Sequence, residues 1–209
     1  MKTLLLTVSL AVVAPLSAMP VKQPPAAPAP NCEIGIVPSK FSDRSIFRLT
    51  AEWTDDAGKK VRLEDFRGQP VVLAMFFTSC QHSCPFIARE MKAMQAALTA
   101  KAADRAQFVM VSIDPDRDSA AALKEFRRKL KLTGRHWTLL TGSPDSVRQL
   151  AEKIGFNYAP GSKTQFAHSL LITVLGGNGE VAHQQAGLGV DRREAIATVE
   201  KLAKAKTAR

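Results

Sequence analysis

Residues Val71 to Phe77 read VVLAMFF, a continuous apolar run that follows Gly68-Gln69-Pro70 and leads through Thr78-Ser79 into Cys80-Gln81-His82-Ser83-Cys84-Pro85. A run without polar alternation suits a strand covered on both faces, and such strands belong to sheets that carry helices on either side. The chain is therefore expected to be α/β. The two cysteines then fall just past the carboxyl end of a buried strand, where open α/β sheets place their sites.

The flanking sequence fits this frame. Phe47 to Trp53 (FRLTAEW) predicts a strand, DDAGKK an Asp-Gly turn, and Val61 to Leu63 the returning strand, so the domain opens with a β-hairpin. Ile87, Met91, Met94 and Leu98 recur at helical spacing, with Pro85 in the first helical position, where its missing N–H costs nothing. Gln107 to Ile113 (QFVMVSI) reads as a second buried strand, and Ser119 to Leu130 as a helix with Leu123, Phe126 and Leu130 on one side. Trp137 to Leu140 gives a short strand, and Ser143-Pro144 opens a helix that Gly155 ends. Ser169 to Leu175 (SLLITVL), GGNG and Glu180 to His183 form a second hairpin, and Asp191 caps a final helix. A parallel unit followed by an antiparallel hairpin and a helix predicts a thioredoxin-like α/β fold, with an N-terminal β-hairpin and a mixed central sheet flanked by helices.

The 209 residues are 45% hydrophobic and 23% charged, enough for one domain with a sizeable core. Residues 1–18, MKTLLLTVSLAVVAPLSA, place Lys2 before an apolar run and small residues, the layout of a secretory signal peptide. The run from Leu4 to Leu16 falls short of the about 20 residues of a membrane span. Export to the periplasm with cleavage near Ala18 is the expectation, Leu16 being an imperfect residue that can shift the cut, and an uncleaved inner-membrane anchor is the alternative. Residues 19–38 contain MPVKQPPAAPAPN and read as a stiff Pro-rich tether, leaving 39–209 as the domain, with KLAKAKTAR as a frayed end. The net charge of +10 invites a nucleic-acid partner, but the basic residues are dispersed without interleaved aromatics, in a chain that reads as exported. No nucleic acid is expected; the charge suits a solvated surface, or steering toward an acidic protein.

Cysteines beside the positive end of a helix dipole have thiolates favoured by nearby N–H groups, so Cys80 and Cys84 are both expected to titrate below the free value of about 8.5. Thiolates serve as nucleophiles and as soft ligands, and the residues leave both uses open. Three intervening residues form a loop that can close a disulfide or let two sulfurs converge on a small ion. Cu(I) then lacks a third ligand, for which His82, His136, His168 and His183 are available. His168 is best placed, because the loop entering SLLITVL packs in such a fold against the helix terminus that bears the cysteines. Cys80, Cys84 and His168 together suit copper and exclude calcium or magnesium. A disulfide serving only as a staple is the plainer reading, although so short a ring removes little chain entropy. His82 reads as a solvent-facing loop residue, and His136 and His183 as surface or hairpin residues. Asp114, Asp116 and Asp118 with Arg117 read as caps and turn formers, or as a pair of carboxylates facing the site. Cys32 is left over in the tether, and Met91 and Met94 belong to the core.

In this order, these residues resemble the Sco family, also called SenC, of copper-delivery proteins. The resemblance runs from DDAGKKVRLEDFRGQPVVLAMFFTSCQHSCP through VSIDPDRDSAAALKEF and LTG to FAHSLLITVLGGNGEV. It implies a thioredoxin-fold protein that binds copper through Cys80, Cys84 and His168, as Cu(I) with Cu(II) as a further state. It also implies delivery to the CuA centre in subunit II of cytochrome c oxidase, or to another exported copper or thiol protein. Members are also discussed as thiol-disulfide reductases, with Cys80 attacking and Cys84 resolving, and this is the alternative function. A peroxiredoxin-type peroxidase is suggested only by Thr78, two residues before Cys80, without the expected proline and arginine context. This chain departs from the pattern at His82, where relatives usually carry a non-ligating residue, and upstream of Trp53, where Cys32 lies. Many relatives also keep a membrane anchor, so membrane association is expected here only if the N-terminal segment stays uncleaved.

Overall fold

The computed structural model describes residues 41–80, 83–160, 166–187 and 189–205. The stretches expected to be a signal peptide and a tether, with Cys32, lie outside the described residues, as do His82 and the last four residues of the chain. Nine strands are described: β1 (Glu52–Asp55), β2 (Lys60–Arg62), β3 (Val71–Phe76), β4 (Gln107–Ser112), β5 (Trp137–Thr141), β6 (Tyr158–Pro160), β7 (Phe166–His168), β8 (Leu171–Leu175) and β9 (Val181–Ala186). The helices are α1 (Ser83–Ala97), α2 (Ala100–Arg105), α3 (Ala120–Lys129), α4 (Pro144–Ile154) and α5 (Arg193–Lys204).

Seven strands form one mixed sheet in the order β2-β1-β5-β4-β3-β8-β9, and β6 pairs with β7 in a separate ribbon. Strands β3, β4 and β5 run parallel, with Val71 opposite Gln107 and Phe108 opposite Trp137, while β8 lies antiparallel to β3. The apolar runs explain the centre of the sheet: every residue of β3 is buried, and so is every residue of β4 after Gln107. The architecture is the mixed α/β, thioredoxin-like one expected, and the hairpin β1–β2 joins the sheet through β5.

The first strand begins later than the sequence pattern suggests. Ile46–Arg48 forms a single 3₁₀ turn, because the Ser45 hydroxyl accepts from Phe47 N–H at 3.1 Å and donates to the Asn178 carbonyl at 2.5 Å. Ile46 and Phe47 are thereby buried against the turn between β8 and β9, not within a strand. Trp53 has no exposed surface, and its ring lies over Gly142, where a Cβ would come within 2.6 Å. Asp56 joins the hairpin to the rest: its carboxylate accepts from Leu139 N–H at 3.2 Å and from Arg127 at 2.9 Å.

Helix boundaries follow their caps. Ser119 accepts from Ala122 N–H to start α3, Ser143 from Ser146 N–H to start α4, and Gly155 ends α4 at φ 68°. Helix α1 starts two residues before Pro85, so the proline is third, still in the first turn where N–H groups have no intrahelical partner. Its Ile87, Met91 and Met94 are buried, which makes the methionines core residues. Asp191 does accept from Arg193 N–H at 3.0 Å, although the cap position itself is Arg192. Among the elements without a forecast are the 3₁₀ turn Leu63–Phe66, helix α2, capped by Thr99, and the ribbon β6–β7. Among the described residues no helix is long and apolar enough to cross a membrane.

Candidate metal centre

Strand β3 hands the chain to Phe77, Thr78 and the cysteine loop, and the loop is held from below. The buried Asp118 carboxylate accepts from Thr78 N–H at 3.0 Å, from the Thr78 hydroxyl at 2.5 Å and from the Ser112 hydroxyl at 2.5 Å. Asp118 thereby ties the loop to the end of β4 and to the segment preceding α3. Asp114 accepts from Arg117 at 2.5 Å, and its N–H donates to Ser112. The turn of Asp114 to Asp118 is closed by Asp118 N–H bonding the Asp114 carbonyl at 2.9 Å, while Asp116 stays at the surface. These acids build and buttress the loop and are not part of the sulfur-imidazole cluster.

Cys80 and Cys84 are both free thiols, and both are buried. Cys84 is the second residue of α1 and has no exposed surface, and its backbone N–H donates to Cys80 Sγ at 3.3 Å. Burial pushes the Cys84 thiol far above its ordinary value, against weaker opposition from a hydrogen bond with the Phe77 backbone and from the Ser83 side chain. The expectation that the helix terminus depresses both thiols therefore fails for Cys84: losing water costs the anion more than the helix end returns.

His168 is the last residue of β7, paired with Tyr158 of β6, and not part of a loop as the sequence suggests. The pairing of the ribbon continues one step past His168, with Ser169 N–H bonding the Asn157 carbonyl at 2.8 Å. The imidazole packs edge-on against Phe77, with centroids 5.7 Å apart, and lies nearly parallel to Phe156 at 6.1 Å. Phe166 in turn meets Phe77 at 5.2 Å, and Arg117 sits over the Phe166 ring. Nδ1 lies 2.8 Å from the Ser169 carbonyl, which can only accept, so Nδ1 carries the proton and Nε2 presents its lone pair.

The ligand atoms of Cys80, Cys84 and His168 all lie within 4.8 Å of one another. A three-coordinate ion with bonds of about 2.3 Å holds its donors about 4 Å apart, so the cluster is close to coordination geometry. The donor set, two sulfurs and one imidazole without a carboxylate, fits a soft ion such as Cu(I) and does not fit hard cations. The carbonyl on Nδ1 is the outer partner that metal-binding histidines characteristically have.

Of the other histidines, His136 lies at the opposite end of the parallel strands, beside Gln107 at 3.3 Å, in a polar cavity of about 400 Å³ that Asp104, Arg105 and Arg135 also line. His183 is on β9, opposite Val174. Neither joins the cluster. Sequence reasoning missed Ser83, whose hydroxyl lies 3.2 Å from Cys80 Sγ and 3.3 Å from His168 Nε2. It also missed the aromatic surround; its signal was the period-two pattern in Phe156-Asn157-Tyr158 and Phe166-Ala167-His168.

Comparison with known proteins agrees with this architecture. A Stutzerimonas stutzeri protein whose name describes it as copper-binding is 27% identical over 154 residues, covering 71% of this chain and 73% of that protein. A SCO1/SenC family lipoprotein of Bacillus anthracis superposes with a TM-score of 0.66 at 27% identity, over 73% of this chain and 92% of its own. Copper-bound ScoI of Bradyrhizobium japonicum, at 23% identity and a TM-score of 0.60, covers 73% of this chain and 96% of its own, and shares the fold. The SCO1/SenC family pattern matches residues 43–204, a span that includes the buried strands, both cysteines and the histidine, and the chain belongs to that family.

Proposed function

We propose that this protein is an exported copper carrier that takes Cu(I) on the sulfurs of Cys80 and Cys84 and on Nε2 of His168, and passes it to the CuA site of cytochrome c oxidase subunit II. The observation that carries the reading is the convergence of two sulfurs and one imidazole within 4.8 Å, with the imidazole already turned lone pair inward. Family membership supports it, as do a relative named for copper binding and a structural neighbour that holds copper. Cys84 is fully buried and His168 partly exposed, so a recipient's ligand reaches the ion from the histidine side, and the sulfurs let go last. The N-terminal signal-like segment supports a periplasmic setting, where an exported recipient would be met.

The test is metal analysis of reduced protein after loading with Cu(I) and dialysis. Wild type should retain one copper, Cys80→Ser and Cys84→Ser should retain none, and His168→Ala should hold it more weakly. Equal retention in wild type and His168→Ala removes the histidine from the site.

A second reading, thiol-disulfide exchange, is favoured by one specific contact. The N–H of Cys84 points at Cys80 Sγ, which stabilises negative charge on the less buried sulfur and suits it to attack a disulfide. Reductase activity that survives His168→Ala while copper binding fails would establish this role separately.

A further inference from the structure

The Ser83 hydroxyl stands between the two arms of the centre, 3.2 Å from Cys80 Sγ and 3.3 Å from His168 Nε2. The direction of these bonds follows from the chemistry on either side. With Nδ1–H donating to the Ser169 carbonyl, Nε2 of the neutral ring accepts, so the Ser83 O–H donates to it. The Ser83 oxygen is then left to accept from the Cys80 thiol. One hydroxyl therefore occupies the lone pair that a metal ion would need.

The imidazole does not depend on Ser83 for its orientation. The Ser169 carbonyl, Phe77 and Phe156 already hold the ring. Removing the hydroxyl thus frees Nε2 without releasing the histidine. We infer that Ser83 is a removable stopper for this centre: in the metal-free protein its hydroxyl occupies His168 Nε2, and an ion gains its third ligand only after that hydrogen bond breaks. The inference rests on the copper-binding reading above. Ser83 acts through His168 as a positioning residue, and its effect is to loosen the site, which suits a carrier that must also let go.

A hydrogen bond of ordinary net strength corresponds to a factor of about five in an equilibrium. A site whose competent form is populated one time in about five binds about fivefold more weakly than its intrinsic affinity. Ser83→Ala should therefore bind Cu(I) about fivefold more tightly than wild type in competition with a chromophoric Cu(I) chelator. Ser83→Thr, which keeps the hydroxyl, should bind as wild type does. In a His168→Ala background, the Ser83→Ala gain should vanish, because no ring nitrogen is left to be freed.

A readout without metal accompanies these. The ¹⁵N resonance of His168 Nε2 in reduced, metal-free protein should move toward that of a nitrogen without a hydrogen bond in Ser83→Ala and stay in place in Ser83→Thr. An unmoved resonance in Ser83→Ala overturns the stopper, as does an affinity gain that persists without His168 or an affinity that falls. If wild type and Ser83→Ala both fail to bind Cu(I), the copper reading falls and takes this inference with it. If both bind equally, only the stopper falls.

Discussion

At the scale of single residues, the centre divides its two sulfurs by burial. Cys84 is sealed beneath the start of α1, and desolvation holds its thiol in the protonated form well above the ordinary pKa. A metal ion must therefore expel that proton, and loading should release it to solvent. Titration of Cu(I) into weakly buffered protein at neutral pH should show proton release, with affinity rising as pH rises. The same shift acts on stability. The unfolded chain loses the Cys84 proton near the ordinary value of 9.0, while the folded protein keeps it, so the unfolded state binds fewer protons above that pH. Stability of reduced, metal-free protein should be at its full value below about pH 9 and fall above it, and Cys84→Ala should reduce that slope in denaturant melts at several pH values. The three residues that converge, Cys80, Cys84 and His168, could be picked out from the chain. Ser83 could not, because nothing in a lone serine announces which sulfur or nitrogen it will meet.

Among the elements, strands were legible where burial was complete and obscure where it was partial. VVLAMFF and QFVMVS declare themselves as β3 and β4 because both faces are covered, and Ser143, Pro144 and Gly155 mark both ends of α4. The ribbon β6–β7 escaped because its strands are three residues long, one of them ending in proline, so the alternation of aromatic residues there is too brief to stand out from a loop. Yet this ribbon holds the histidine. Asp118 reads in sequence as a turn former or as a carboxylate facing the site, and neither reading foresees that it joins the cysteine loop to β4 and the approach to α3 through three hydrogen bonds. Asp118→Ala would strand the Thr78 N–H and two hydroxyls in the interior. It should cost about 2–3 kcal/mol, read as a lower denaturant midpoint with an unchanged slope. Asp118→Asn, which keeps the volume and one accepting oxygen, should cost less.

For the whole molecule, the centre joins parts of the chain that share no secondary structure: sulfurs from the β3–α1 junction and a ring nitrogen from a ribbon outside the main sheet. An ion held by both should stabilise the folded state as a ligand does, by about 2.7 kcal/mol at a hundredfold excess over its dissociation constant. For a domain of this size that corresponds to a rise in Tm of roughly 5–10 °C, measurable by calorimetry of metal-free and Cu(I)-loaded protein. His168→Ala should shrink the rise. The separation along the chain also imposes an order on biosynthesis. Ser83 and His168 are 85 positions apart, so the thiol pair leaves the ribosome long before the imidazole that completes their enclosure exists. Until β7 is made and docked, the two sulfurs lack the imidazole that lies beside them in the finished fold, and an oxidant can join them in a disulfide. A newborn copy is thus most open to premature oxidation during the interval between its two halves, and a reductant acting in that interval protects what the finished fold later shields by itself.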